Sequence, residues 1–173
     1  SEDHIVEDKE FLTQIGRFFD LFQDRKIALD IFTIVESTRV DYKTITEYPG
    51  IAKDYMNVQL SSLEKRPEIN KLPVKEAILE LLIRISLGQK NNLKIPKKYK
   101  KESKEIIKLL SYVRNSNATV EDSSEITIRI YHLLFPIENE SLEEEEYENF
   151  DNNDDENEDQ DTIFENDDII QQF

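Results

Sequence analysis

The chain has 173 residues, 38 of them Asp or Glu and 22 Lys or Arg, for a formal net charge of −16, and it contains no Cys. Without Cys there are no disulfides, thiolate metal sites or cysteine nucleophiles, and an intracellular, reducing compartment is the expectation. The opening SEDHIVEDKE is too acidic for a signal or transit peptide. The densest apolar stretch, Ala77–Leu87, is interrupted by Glu80, Arg84 and Ser86, short of the roughly 20 apolar residues that cross a bilayer, so a soluble protein is expected.

The charge is unevenly placed. From Glu138 onward the chain holds 17 acidic residues and no Lys, Arg or His, which leaves 21 acids against 22 bases in residues 1–137. Length and charge together predict a near-neutral helical interaction domain over 1–137 and an acidic, disordered tail over 138–173.

Along the body, helical spacing dominates. Phe11, Ile15, Phe18, Phe19 and Phe22 fall three and four apart within Glu7–Phe22, one apolar face of a helix. A second helix begins near Asp24 and carries Ile27, Leu29, Ile31, Phe32, Ile34 and Val35. STRVDYKTITEYPGI then reads as a turn-rich passage, with Tyr48-Pro49-Gly50 a strong breaker. Ile51–Glu64 is expected to form a helix burying Ile51, Tyr55, Val58 or Leu60, and Leu63.

KRPEINKLP connects to the most apolar helix, Val74–Leu87, where Ala77, Ile78, Leu81, Leu82, Ile85 and Leu87 leave a narrow polar stripe that marks a central position. Pro73 suits its first turn and Gly88 its C-terminal cap. QKNNLKIPKKYKK is a basic connector, followed by an amphipathic helix over Glu102–Arg114. Asp122, Ser123 or Ser124 caps a last helix to Leu134. EITIRIYHLLF also alternates like a strand, but helix is preferred because no partner strand is visible. The fold class expected is all-α, a compact bundle of about six or seven helices followed by the disordered acidic tail.

Reactive groups are scarce. His132 sits within IYHLLF and reads as a structural histidine, and His4 lies near the N-terminus. No glycine-rich phosphate loop, HExxH or EF-hand pattern occurs, and DNNDDENEDQD lacks the mid-loop Gly and terminal Glu spacing of a calcium loop. The expectation is no enzymatic activity, no cofactor and no metal. Lys94, Lys97, Lys98, Lys100, Lys101 and Lys104 gather around Tyr99. Such a patch suits a solvated loop, phosphates of a nucleic acid, or an acidic protein segment that includes this chain's own tail. A polyanion on the same molecule competes with nucleic acid at high effective concentration, so direct nucleic-acid binding is not expected.

The tail carries apolar side chains in three groups: Tyr147/Phe150, Ile163/Phe164 and Ile169/Ile170/Phe173. A solvated tail with incidental aromatics is the plain reading. Carboxylates that steer a basic partner while an aromatic fills a pocket is the functional one. EEEEYENFD resembles the short, aromatic-anchored acidic motifs that histone chaperones and remodeller subunits use on core-histone dimers. The resemblance implies Tyr147 or Phe150 as anchor and Glu143, Glu144, Glu145, Glu146, Glu148 and Asp151 as electrostatic cover, with Ile163 and Phe164 as a second cluster.

In the body, TITEYPGIAKDYMNVQLSSLEKRPEINKLPVKEAILELLIRI is similar to the helical N-terminal domain of the elongation factor TFIIS and its relatives. Thr44, Thr46, Gly50, Ile51, Lys65, Ile69, Leu72 and Ala77 follow that order, although Gly and Ile are reversed and the chain has no Trp. The resemblance implies a docking module for short peptides. The function expected is a non-enzymatic nuclear interaction factor, associated with chromatin or transcription. Its body would join a larger assembly and its tail would bind a basic partner such as histones. The alternative is a structural or regulatory subunit, nuclear or cytoplasmic, whose tail serves solubility or autoinhibition.

Overall fold

In the computed structural model, which describes residues 2–152, Asp24 sets the first sharp boundary. Its side chain accepts the Ile27 N–H at 3.1 Å and so satisfies one of the orphan donors at a helix start. The helix before it, α1 (Glu2–Asp20), turns Phe18 and Phe19 toward the helix after it, α2 (Arg25–Glu47). Phe18, Phe19 and Phe32 meet edge to face or tilted at 5.2–6.0 Å between ring centroids.

The second helix is longer than the sequence suggests. The passage expected as a turn, STRVDYKTITE, continues α2 to Glu47, and the chain breaks only at Tyr48-Pro49-Gly50. Thr and Val are modest helix formers, but α2 buries Ala28, Ile31, Ile34, Val35 and Thr38, and that packing overrides propensity. The hydroxyls of Thr38, Thr44 and Thr46 donate to the carbonyls four residues earlier at 2.7–2.8 Å.

The next helix, α3 (Ala52–Ser61), buries none of its residues. Ile51, Val58 and Leu60, expected in the core, are exposed. Polar contacts tie α3 to α2 instead: Asp41 accepts hydrogen bonds from the Tyr55 hydroxyl and from Gln59 Nε2.

The central helix is α4 (Val74–Ser86), as its all-round apolar pattern predicts: Val74, Ala77, Ile78, Leu81 and Leu82 are all fully buried. Gly88 follows at φ 96°, the left-handed conformation that ends a helix cheaply only with glycine. Buried within α4, Glu80 faces Arg66, whose Nε donates to it at 2.9 Å, and Arg84 lies beside the pair.

The last two helices are α5 (Lys100–Ser111) and α6 (Val120–Leu134). Thr119, one turn earlier than the expected candidates, caps α6 in a reciprocal box with Asp122. ITIRIYHLL is helical; α6 packs on α2 and α5 and buries Ile126, Ile130 and Leu134.

The described residues therefore form six helices, but the chain is not purely α. Leu93–Pro96 is a strand, β1, and it pairs antiparallel with a second strand, β2 (Tyr147–Phe150). The register sets Leu93 opposite Phe150, Lys94 opposite Asn149, Ile95 opposite Glu148 and Pro96 opposite Tyr147.

This moves the boundary expected at 137/138. From Glu138 to Asn152 the chain stays on the body. Val74 N–H donates to Glu140 O at 2.8 Å and Lys75 N–H to Asn139 Oδ1 at 3.0 Å. α4 has Pro73 before it and no side-chain cap of its own, so residues expected to begin a disordered tail supply the acceptors its first turn lacks.

Candidate functional site

The lysine connector and the start of the acidic run, well separated in the chain, form one site. β1 puts Leu93 and Ile95 against α4 and α5, both fully buried, while the intervening Lys94 points outward, the period-two alternation of a strand. The turn at Lys97–Tyr99 and the first turn of α5 then set out Lys97, Lys98, Lys100, Lys101 and Lys104 beside it.

Across this surface lies β2. Lys94 Nζ donates to Asn149 Oδ1 at 2.6 Å, and Lys100 Nζ pairs with Glu148 Oε1 at 2.8 Å. Lys98 Nζ reaches Glu140 Oε1 at 2.8 Å, and Lys104 Nζ lies 5.9 Å from the centre of the Phe150 ring. The backbone closes the far end: Asn92 N–H donates to Asp151 Oδ1 at 3.0 Å and Asn152 N–H to Lys90 O at 2.8 Å.

The aromatic residues divide. Tyr147 is only 6% exposed and belongs to the core, whereas Phe150 is half-buried against it. The Tyr147 hydroxyl is buried with no hydrogen-bond partner. Burial, reinforced by the neighbouring Glu146 carboxylate, raises the phenol above its ordinary pKa. The anchor role implied for Tyr147 toward an outside partner is thus corrected: this ring already fills a pocket in its own chain.

Immediately before Tyr147, Glu144–Glu146 make one 3₁₀ turn. Glu143 N–H donates to the Glu146 carboxylate at 2.6 Å, and the Glu143 side chain receives an N–H in return. All four glutamates are exposed. Four like charges on one turn repel, so their fixed placement follows from the buried ring that succeeds them.

Hydrogen bonding to Glu140 raises Lys98 above its ordinary value, and hydrogen bonding to Lys100 lowers Glu148 below the usual carboxylate value. No family model, curated protein or solved structure matches the chain. The site must be read from its own chemistry.

It consists of lysine–carboxylate and lysine–amide contacts within the chain. Among the described residues no His, Asp and Glu come together in a group that could hold a metal ion. His132 is exposed on α6, its ring 6.1 Å from that of Tyr131. Of the residues singled out from sequence, Lys94, Lys98, Lys100, Lys104, Tyr147, Glu148, Phe150 and Asp151 meet in this one place. Tyr99 is half-buried and has Lys98 5.5 Å from its ring, while Lys97 and Lys101 are exposed at the margin. Ile163 and Phe164 lie outside the described residues, as does His4's side chain.

Sequence reasoning missed Glu140, Asn149, Leu93 and Ile95. The Leu93/Ile95 alternation was the available signal, hidden among lysines and cut short by Pro96.

Proposed function

We propose that this chain is a non-enzymatic protein–protein interaction factor of the nucleus, associated with chromatin or transcription. Its helical body joins a larger assembly and its acidic arm takes a basic protein such as a histone. The observation that carries this reading is the carboxylate turn Glu143–Glu146, held at the body surface by the burial of Tyr147. A fixed cluster of charge attracts an oppositely charged surface without the ordering cost of a free tail. The partner's contact then comes from these carboxylates, from Phe150 and from Ile163 and Phe164, with Tyr147 acting as an internal anchor. The resemblance to aromatic-anchored histone-binding motifs supports the partner class.

The test is calorimetry with purified core-histone dimers at two salt concentrations. Replacing Glu143–Glu146 by Gln is expected to weaken binding and flatten its salt dependence. Failure of the wild type to bind excludes histones.

A second reading is favoured by the contacts of Lys94, Lys98 and Lys100: a structural or regulatory subunit whose arm shields its own lysines. It predicts that the wild type ignores histone dimers. Tyr147→Ala, which unseats β2, would then let an acidic polymer such as polyglutamate bind the lysine face.

A further inference from the structure

The sequence of the segment that covers β1 has a near match further along the chain. Tyr147-Glu148-Asn149-Phe150-Asp151 is followed, further along, by Phe164-Glu165-Asn166-Asp167-Asp168. Glu, Asn and the final Asp are identical, and one aromatic replaces another at the first place.

The matching positions are the ones that touch β1 and its lysines. Glu148 pairs with Lys100, Asn149 accepts from Lys94, and Asp151 accepts the Asn92 N–H. Tyr147 fills the pocket opposite Pro96. At the first place, Phe164 would present the same ring without the hydroxyl that Tyr147 buries unpartnered. At the fourth place the two differ: Phe150 lies near Lys104 through its ring, where Asp167 would bring a carboxylate to the same ammonium.

We propose that the groove along Leu93–Lys100 is a receptor site for an extended aromatic-Glu-Asn-x-Asp strand, and that Phe164–Asp168 of the same chain is its second ligand. It exchanges with Tyr147–Asp151 in the same antiparallel register. The contacts at stake are side chains on a strand that pairs with the edge of β1 now covered by β2, where main-chain pairing gives affinity and alternate side chains give specificity. Exchange lengthens the loop between Ile137 and the seated strand, and lifts Tyr147 and Phe150 off the body. The receptor site is independent of whether the basic partner is a histone, so its failure and that of the functional reading are separately visible.

The absence of native Cys allows a direct test in the full chain by disulfide trapping. Lys94→Cys with Asn149→Cys reports the described register. Lys94→Cys with Asn166→Cys reports the second ligand, and Lys94→Cys with Asn157→Cys reports random encounter from a position nearer the Asn152 tether.

In a mild thiol–disulfide buffer at micromolar protein, the Asn166 pair is expected to close on the order of tenfold faster than the Asn157 pair. Phe164→Ala is expected to abolish that excess, and Tyr147→Ala to enlarge it by vacating the pocket. All of these changes except Tyr147→Ala lie at surface positions or in the arm, so folding does not confound them. No excess of the Asn166 pair, an excess indifferent to Phe164→Ala, or a product found only between chains would overturn the proposal.

Discussion

Replacing Tyr147 in two ways separates the two halves of its energetics. The side chain is 6% exposed and lies opposite Pro96, so Tyr147→Ala removes a nearly complete aromatic burial. Large-to-small substitution of a buried aromatic costs about 3–5 kcal/mol. Tyr147→Phe keeps the ring and deletes only the hydroxyl, which is buried without a partner. Leaving such a group unsatisfied costs about 1–3 kcal/mol, so its removal is expected to strengthen strand docking by about 1 kcal/mol.

The assay is amide hydrogen exchange at Ile95 and Glu148, which face each other across the strand pair. At about 1.4 kcal/mol per tenfold, Tyr147→Phe is expected to slow exchange about fivefold and Tyr147→Ala to speed it more than about a hundredfold. If Tyr147→Phe instead speeds exchange, the hydroxyl has a partner and the reasoning is wrong.

Four other outcomes are expected. Truncation after Ile137 removes both the α4 cap acceptors and Tyr147, so urea denaturation should find residues 1–137 less stable than 1–152 by about 3 kcal/mol or more. Glu148 is held below its ordinary value of 4.5, so its contribution is complete above that pH and is lost as pH falls through its lowered pKa. Protection at Ile95, taken as exchange relative to the intrinsic amide rate at each pH, should therefore fall in acid, and Glu148→Gln should remove that part of the pH dependence. Glu80→Ala leaves Arg66 and Arg84 without their buried carboxylate. Because Arg66 still reaches solvent, a loss of about 2 kcal/mol in chemical denaturation is expected, below the roughly 3–5 kcal/mol of a fully buried pair. Gly88→Ala puts a Cβ on backbone at φ 96° and should cost about 1 kcal/mol.

Local patterns made much of the body legible. α4 shows itself by apolar residues on nearly every side, and α6 keeps helical burial despite its alternating isoleucines. Where a neighbour decides, the sequence misleads. Thr38 looks like a turn residue until α2 packs across α6 and α4 and buries it. Ile51, Val58 and Leu60 look like core until α3 is seen held to α2 through Asp41.

The candidate site was half visible. The lysines and the aromatic-acidic run could each be picked out, and an arm folding back on the lysines was one of the readings open to the connector. The strand pair could not, because neither LKIP nor YENF has a strand pattern long enough to declare itself, and their pairing joins distant parts of the chain. Charge also hid the energetics. A polyanionic segment reads as unable to order, yet one buried tyrosine, two cap acceptors and two ion pairs fix its stretch from Glu138 to Asn152.

Glu138–Asn152 belongs to the body, seated chiefly by an apolar ring with lysines in support. Backbone ¹⁵N relaxation on the full chain, recorded at low salt and again near about 0.5 M, tests it most directly. Surface ion pairs are largely screened at the higher salt, where the Debye length is only about 4 Å, whereas burial of Tyr147 is not. The account predicts heteronuclear NOE values for Tyr147–Phe150 that match those of α4 under both conditions. Values that fall away from Glu138 onward, or that match α4 only at low salt, would contradict it.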